Sequence, residues 1–405
     1  MWRLGFFFHE MAFGLLSIFL PLYIVGENIH GSMVDIGILF AFALFLAIPA
    51  SFFWGYLCDK ARRYKRYILL SFLTSTIFIY LFTLTTNVGI LITLYAVMSI
   101  FHVAHEAPKN VLIAELYSRE DWEKKFASYE GFTKTGWLIG LLFGFFTSTF
   151  GLNATNTLLT CSGLNLVAFV ISLILVTDPL LVFERGLVRI EKTIDFAHHG
   201  LLLASKLLDR IPVNEKLKKE NLSAFCGGLV LFSLATSILF TPMPIFISNI
   251  VQTAALPVSI VFAIFVLNSG GDVAGYLVAE TRSSRSTGKA NISRIVIIRS
   301  LLTFLLIAVL QIPAYTIVLA TTILILMAFA YSMFLIYTLS LSMELLPAGK
   351  AGLFNVLVGI GGACGSLVGP FIAQTFGFFY VFMAAGVAFF LAYVVFKTMF
   401  TASRW

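Results

Sequence analysis

Leu20-Pro21-Leu22-Tyr23-Ile24 closes one apolar run near the start of the chain, and Met243-Pro244-Ile245-Phe246-Ile247 closes another 223 residues further on. Gly55-Tyr56-Leu57 ends the next run and Gly275-Tyr276-Leu277 its counterpart, 220 residues apart. Glu115-Leu116 then maps to Glu344-Leu345, Gly136 to Gly365 and Gly140 to Gly369, each at a spacing of 229. A displacement that holds to within a few residues along the chain marks an internal repeat. The sequence therefore reads as one unit written twice.

Each unit belongs in a bilayer. The 405 residues are 59% hydrophobic and only 12% charged, with a mean hydropathy of +0.96, which a soluble domain cannot hide from water. A spanning helix takes roughly 20 apolar residues, and apolar runs between polar breaks give twelve expected spans. They lie near residues 4–26, 33–57, 67–86, 88–114, 127–149, 155–177, 223–250, 256–279, 293–313, 315–343, 351–376 and 378–400. Runs of this length exclude an outer-membrane barrel, whose strands are shorter and alternate in polarity. The apolar sequence from Leu4 has no separable basic region or small-residue cleavage site and reads as a retained helix. Cys58, Cys161, Cys226 and Cys364 are scattered without ligand-like pairing, so neither a disulfide framework nor a metal site is expected.

The connections alternate sharply in basic content. Lys60, Arg62, Arg63, Lys65 and Arg66 fill the second, Arg119, Lys124 and Lys125 the fourth, and Arg282, Arg285 and Lys289 the eighth, whereas the odd-numbered connections hold no Lys or Arg. This pattern predicts that both termini and the basic loops are cytoplasmic. It also accounts for the net charge of +7 without a nucleic-acid partner. The expected fold is an all-α membrane protein with twelve transmembrane helices in two pseudo-symmetric six-helix bundles. The expected division is residues 1–183, a hydrophilic segment 184–222, and residues 223–405. Within the segment, His199 to Arg210 has apolar residues at helical spacing and could lie on the membrane surface, while His198 and His199 read as solvated.

Parallel six-helix repeats can rock against each other and expose a central cavity to each side in turn, the architecture of a secondary transporter. Gly136, Gly140 and Gly144, with Gly365, Gly369 and Pro370 in the second copy, put bare backbone on one helix face for close packing. At this point the chain resembles the major facilitator superfamily over its whole length. Gly55-Tyr56-Leu57-Cys58-Asp59-Lys60-Ala61-Arg62-Arg63 is similar to that family's signature between the second and third helices, with Arg62 where Gly is usual. In the second copy Ala279 replaces the Asp and Glu280 follows. The resemblance implies a conformational latch of Gly55, Asp59, Arg63 and Glu115, in which Asp59 caps the eleventh helix and Arg63 pairs with Glu115. Gly365-xxx-Gly369-Pro370 is similar to a motif that exporters of the family carry on the fifth helix, where this chain has Leu141.

A fixed charge in mid-span costs about 2.5 to 3.5 kcal/mol on insertion scales, so each one needs a reason. The repeat sorts them, because Glu10 maps to Ser233, His102 to Tyr331, Glu106 to Leu335, Lys109 to Thr338, Glu130 to Gly359 and Lys134 to Ala363. What breaks the symmetry is the better candidate for function. His102, Glu106 and Lys109 form one helical stripe with His105 beside it, and Glu130 and Lys134 stand at i, i+4 and can pair. His9, Glu10, His102, His105, Glu106, Lys109, Glu130 and Lys134 are thus the expected proton-coupling or substrate residues, with Glu106 and its imidazole neighbours preferred for the proton. Two alternatives stand beside this. The acids and lysines could neutralise one another in a fixed network, and His9 and Glu10 could be wetted by headgroups. Asp35 is expected to be solvated. Asp272 could line the second half or join the latch, and Tyr331 and Tyr337 could face the solute. Arg299 is expected to snorkel to the cytoplasm.

The expected function is a secondary active transporter in the cell membrane that moves a small solute, coupled to protons, with export of drug-like or metabolite molecules as one direction. A transporter-like sensor or scaffold is the alternative. Because no Arg stands clearly in mid-span, the expected solute is neutral or cationic. No enzyme chemistry, cofactor or phosphate-binding loop is indicated, and the partners expected are the solute, protons and lipid, around a monomer.

Overall fold

The computed structural model describes residues 2–27, 29–61, 63–116, 122–178, 222–282, 288–312, 315–345 and 352–401. The first three spans are α1 (Leu4–Val25), α2 (Met33–Ala61) and α3 (Tyr64–Phe82). The fourth is broken into α4 (Val88–His102), a 3-10 turn (Val103–His105) and α5 (Glu106–Leu116), followed by α6 (Trp122–Thr149) and α7 (Ala154–Leu175). In the second half the seventh span is α8 (Leu222–Phe240) and α9 (Met243–Thr253), then α10 (Ser259–Arg282), α11 (Gly288–Val309), α12 (Thr316–Leu345), α13 (Gly352–Thr375) and α14 (Phe378–Thr401). No strand occurs among the described residues. Residues 184–221 of the hydrophilic segment, with His198 and His199, lie outside them, as do Arg119 and Arg285.

Among the described residues, eleven spans are long and apolar enough to cross a membrane. The twelfth, α6, is diluted by Glu130, Lys134 and its threonines and glycines. A helix that carries charge where its neighbours carry leucine must turn that face inward.

Local chemistry sets the helix ends and breaks. Ser32 and Asp35 form a reciprocal capping box at the start of α2: Asp35 N–H donates to Ser32 Oγ at 3.2 Å and Ser32 N–H to Asp35 Oδ2 at 2.7 Å. Asp35 is thus committed to a cap, beyond the solvated role expected of it. Asn87 and Asn153 cap α4 and α7 through their side-chain oxygens. The break in the fourth span follows from Pro108, whose ring excludes the carbonyl of Ala104 four residues back, so the chain tightens to a 3-10 turn over Val103–His105. In the seventh span Pro242 and Pro244 separate α8 from α9 for the same reason.

The packing repeats with the sequence. α1 packs on α6 and α7, α2 on α4, and α3 on α4 and α7; equivalently, α8 packs on α13 and α14, α10 on α12, and α11 on α12 and α14. The halves meet through α2 against α13 and α6 against α10, which are each other's images under the repeat. At the first of these seams Val34 N–H donates to Gln374 Oε1 at 3.0 Å, and a methyl at Gly37 would stand 3.2 Å from the Pro370 ring.

Within each half the closest approach is glycine against backbone. A methyl on Gly136 or Gly140 of α6 would strike the Phe7 or Met11 carbonyl of α1, and one on Gly365 or Gly369 of α13 would strike the Leu234 or Ile238 carbonyl of α8. Gly144 instead faces Phe262 of α10, across the seam between the halves.

Candidate functional site

His9 of α1 is fully buried, which overturns the reading of a helix end wetted by headgroups. Its Nδ1 lies 2.6 Å from Asn165 Oδ1 of α7. Asn165 Nδ2 donates to Cys161 O at 3.1 Å, which orients the amide so that Oδ1 accepts from His9. His9 Nε2 is left bare and without a partner. Asn165 was missed in the sequence, although an amide in the middle of an apolar helix is itself a signal.

The rings of His9, His102 and His105 stand in a triangle with all three centroid separations at 5.0 Å. Phe72 stacks on His9 at 4.3 Å and Phe13 leans on His102 at 4.4 Å. The 3-10 turn is what brings His105 round to this position, by overwinding the helix between it and His102. The three imidazoles have nitrogens within 4.8 Å of one another. His105, however, is committed at both nitrogens, which leaves one ligand fewer than the three side chains a protein metal site uses.

His105 Nδ1 stands 2.6 Å from the His102 carbonyl and 3.0 Å from Ser71 Oγ, while Ser71 Oγ itself donates to that carbonyl at 2.8 Å. A carbonyl only accepts, so His105 Nδ1 carries hydrogen. Its Nε2 then faces Glu106 Oε1 at 3.2 Å. Two lone pairs do not attract, so this contact is a bond only when one proton lies on it.

From Glu106 the network runs to Lys109, whose Nζ is 2.6 Å from Glu106 Oε2 and 3.6 Å from Glu130 Oε1 of α6. Glu130 therefore pairs across helices with Lys109 and not, as the i, i+4 spacing predicted, with Lys134. Lys134 lies over the Trp137 ring at 4.2 Å, within electrostatic reach of Glu10, Asp272 and Tyr331. Asp272 of α10 and Tyr331 of α12 belong to the second half, so charged groups from both bundles converge here. Tyr337 is buried on α12.

Arg299 departs furthest from expectation. It is fully buried and surrounded by aromatic rings, with no route to the membrane surface. It is the twelfth residue of α11, which begins at Gly288 and not near 293; at 1.5 Å per residue that depth is about 16 Å, beyond the reach of its side chain. The side chains of Asp59 and Glu115 lie outside the described residues. Of the other latch positions, Arg63 is exposed just before α3 and Gly55 is half-buried with open space beside it.

Twelve spans in two matching bundles, meeting at a charged centre, define a secondary transporter and not an enzyme. The chain belongs to the Major Facilitator Superfamily, whose family model matches residues 4–357. Comparison with curated protein sequences gives no match. Among solved structures, a point mutant of the nucleoside transporter NupG superposes with a TM-score of 0.77 at 14% identity, covering 98% of each chain. The human organic anion transporter MFSD10 (TETRAN) gives 0.69 at 15% identity, covering 98% of this chain and 97% of its own. At such identities the likeness is one of fold. As a multi-pass membrane transporter of this superfamily, the chain carries a small-molecule solute.

Proposed function

We propose that transport is coupled to protons and that the coupling proton is the one held between His105 Nε2 and Glu106. The observation that carries this is the 3.2 Å contact between two groups that attract only when a proton lies between them. Charge balance supports it. Among the described residues, Glu10, Glu106, Glu130 and Asp272 face three permanent cations, Lys109, Lys134 and Arg299, inside the bundles. One further positive charge brings the centre to neutrality, which a low-dielectric interior favours. A proton that can be gained and lost provides that charge in one state of the cycle and withdraws it in the other.

In this reading residues 1–183 and 223–405 are the two moving halves and 184–222 joins them. The basic connections favour the cytoplasmic side of the cell membrane for that joint and both termini, and the chain works as a monomer. The test is solute-dependent pH change inside proteoliposomes. Glu106→Gln should abolish it while the variant stays folded, and the sign of the change gives import or export. Proton flux unaltered in that variant would remove the assignment.

A further inference from the structure

Arg299 is the largest fully buried side chain among the described residues, and its Nε and both Nη atoms have no hydrogen-bond partner. Four rings enclose the guanidinium: Phe389 at 4.9 Å, Phe232 at 5.0 Å, Tyr331 at 5.2 Å and Phe240 at 5.7 Å. Aromatic faces attract the charge but offer little to five N–H donors. Unlike Lys or His, Arg cannot escape by giving up its proton. A permanent cation held dry and without an acceptor is costly unless some state of the protein supplies an anion.

The acid within electrostatic reach is Asp272, and it does not close the gap. Its Oδ1 is also buried without a partner, and no ion pair joins it to Arg299. Tyr331 lies within reach of both Arg299 and Lys134, the latter from the other half. Its ring therefore stands where the aromatic cage meets the centre. The repeat adds an independent observation. Phe232 occupies the position of His9, Tyr331 that of His102 and Phe334 that of His105, at the same spacings of 223 and 229. Where the first half holds a proton among imidazoles, the second half holds a fixed cation among rings.

We propose that Arg299 binds the anionic group of the transported solute, so that the cargo is a small organic anion, a carboxylate or phosphate on an apolar body. Asp272, the acid within electrostatic reach of Arg299, competes with the solute's anionic group for the guanidinium. This rests on the reading of the chain as a solute transporter and corrects the expectation of a neutral or cationic cargo, which assumed that no Arg lay in mid-span.

The experiment uses the purified full chain in detergent and four probes that share one ring, which suits the aromatic cage: benzoate, phenyl phosphate, benzamide and benzylamine at matched ionic strength. Binding is read by thermal shift and calorimetry. Benzoate or phenyl phosphate should stabilise the protein, and the amide and amine should not. Arg299→Gln should weaken anion binding by about tenfold or more, and Arg299→Lys should restore part of it. Asp272→Asn should tighten it by about threefold, because a competing carboxylate is gone; a merely structural Asp would not give that sign. If Arg299→Gln does not fold, Arg299→Lys and Asp272→Asn decide. The proposal is overturned if neither anion binds, if the amide or amine stabilises as well as the anions, or if Asp272→Asn weakens them. Proton flux without anion binding sinks this inference alone, and anion binding without proton flux sinks only the proton coupling.

Discussion

Among the described residues, Lys109 is the cation ion-paired with two carboxylates of the first half, and replacing it with Met keeps the stem while deleting the charge. The ammonium stands 2.6 Å from Glu106 and 3.6 Å from Glu130, and its side chain is only 11% exposed. Removing one partner of a buried pair costs about 3 to 5 kcal/mol, because the remaining charge stays desolvated. Two acids are left here, but Glu106 is 35% exposed and water screens it. The lower end of that range, about 3 kcal/mol, is the working figure. For a chain of this length it lowers the thermal midpoint by about 3 to 4 °C. A Lys109→Met, Glu130→Gln double variant should recover about 1 kcal/mol, because neutralising the second acid removes the repulsion that the first change exposes. Midpoints in detergent for the wild type, both single variants and the double complete the cycle. Strict additivity, or a Lys109→Met protein as stable as the wild type, would refute the reasoning.

Two further changes test the parts that position this network. Asn165→Leu strands the His9 Nδ1–H that now donates at 2.6 Å and should cost about 1 to 3 kcal/mol, read as a lower midpoint. Gly140→Ala drives a methyl into the Met11 backbone and should cost about 1 to 3 kcal/mol or prevent folding, whereas Gly163→Ala, with open space around it, should be neutral on the same size-exclusion and melting assays.

The architecture was legible because a bilayer imposes simple rules. Span length, the basic loops and the doubled Gly and Pro positions each follow from one constraint, and the observed helix pairs repeat as the sequence does. The charged residues were legible too, since any ionisable group in mid-span stands out against Leu and Phe. Their partners were not. The spacing of Glu130 and Lys134 permits a pair on one helix, but Lys109 reaches Glu130 from another, and no single-helix pattern carries that information. Pro108 held a signal that went unread: its lost hydrogen bond tightens the turn that swings His105 onto Glu106. Arg299 was misplaced because the apolar run hides where α11 begins. Gly288 and Lys289 look like loop yet are helical, so α11 begins before the expected span and Arg299 lies more than one turn deeper than expected.

The most direct measurement is the nitrogen NMR spectrum of His105 in lipid bilayers across the pH range, taken for the wild type and for Glu106→Gln. Nδ1 should carry hydrogen in both proteins, held by the His102 carbonyl, while the Nε2 signal should report a proton shared with Glu106 in the wild type and lose that signature in Glu106→Gln. A His105 Nε2 signal identical in both proteins would contradict the shared proton.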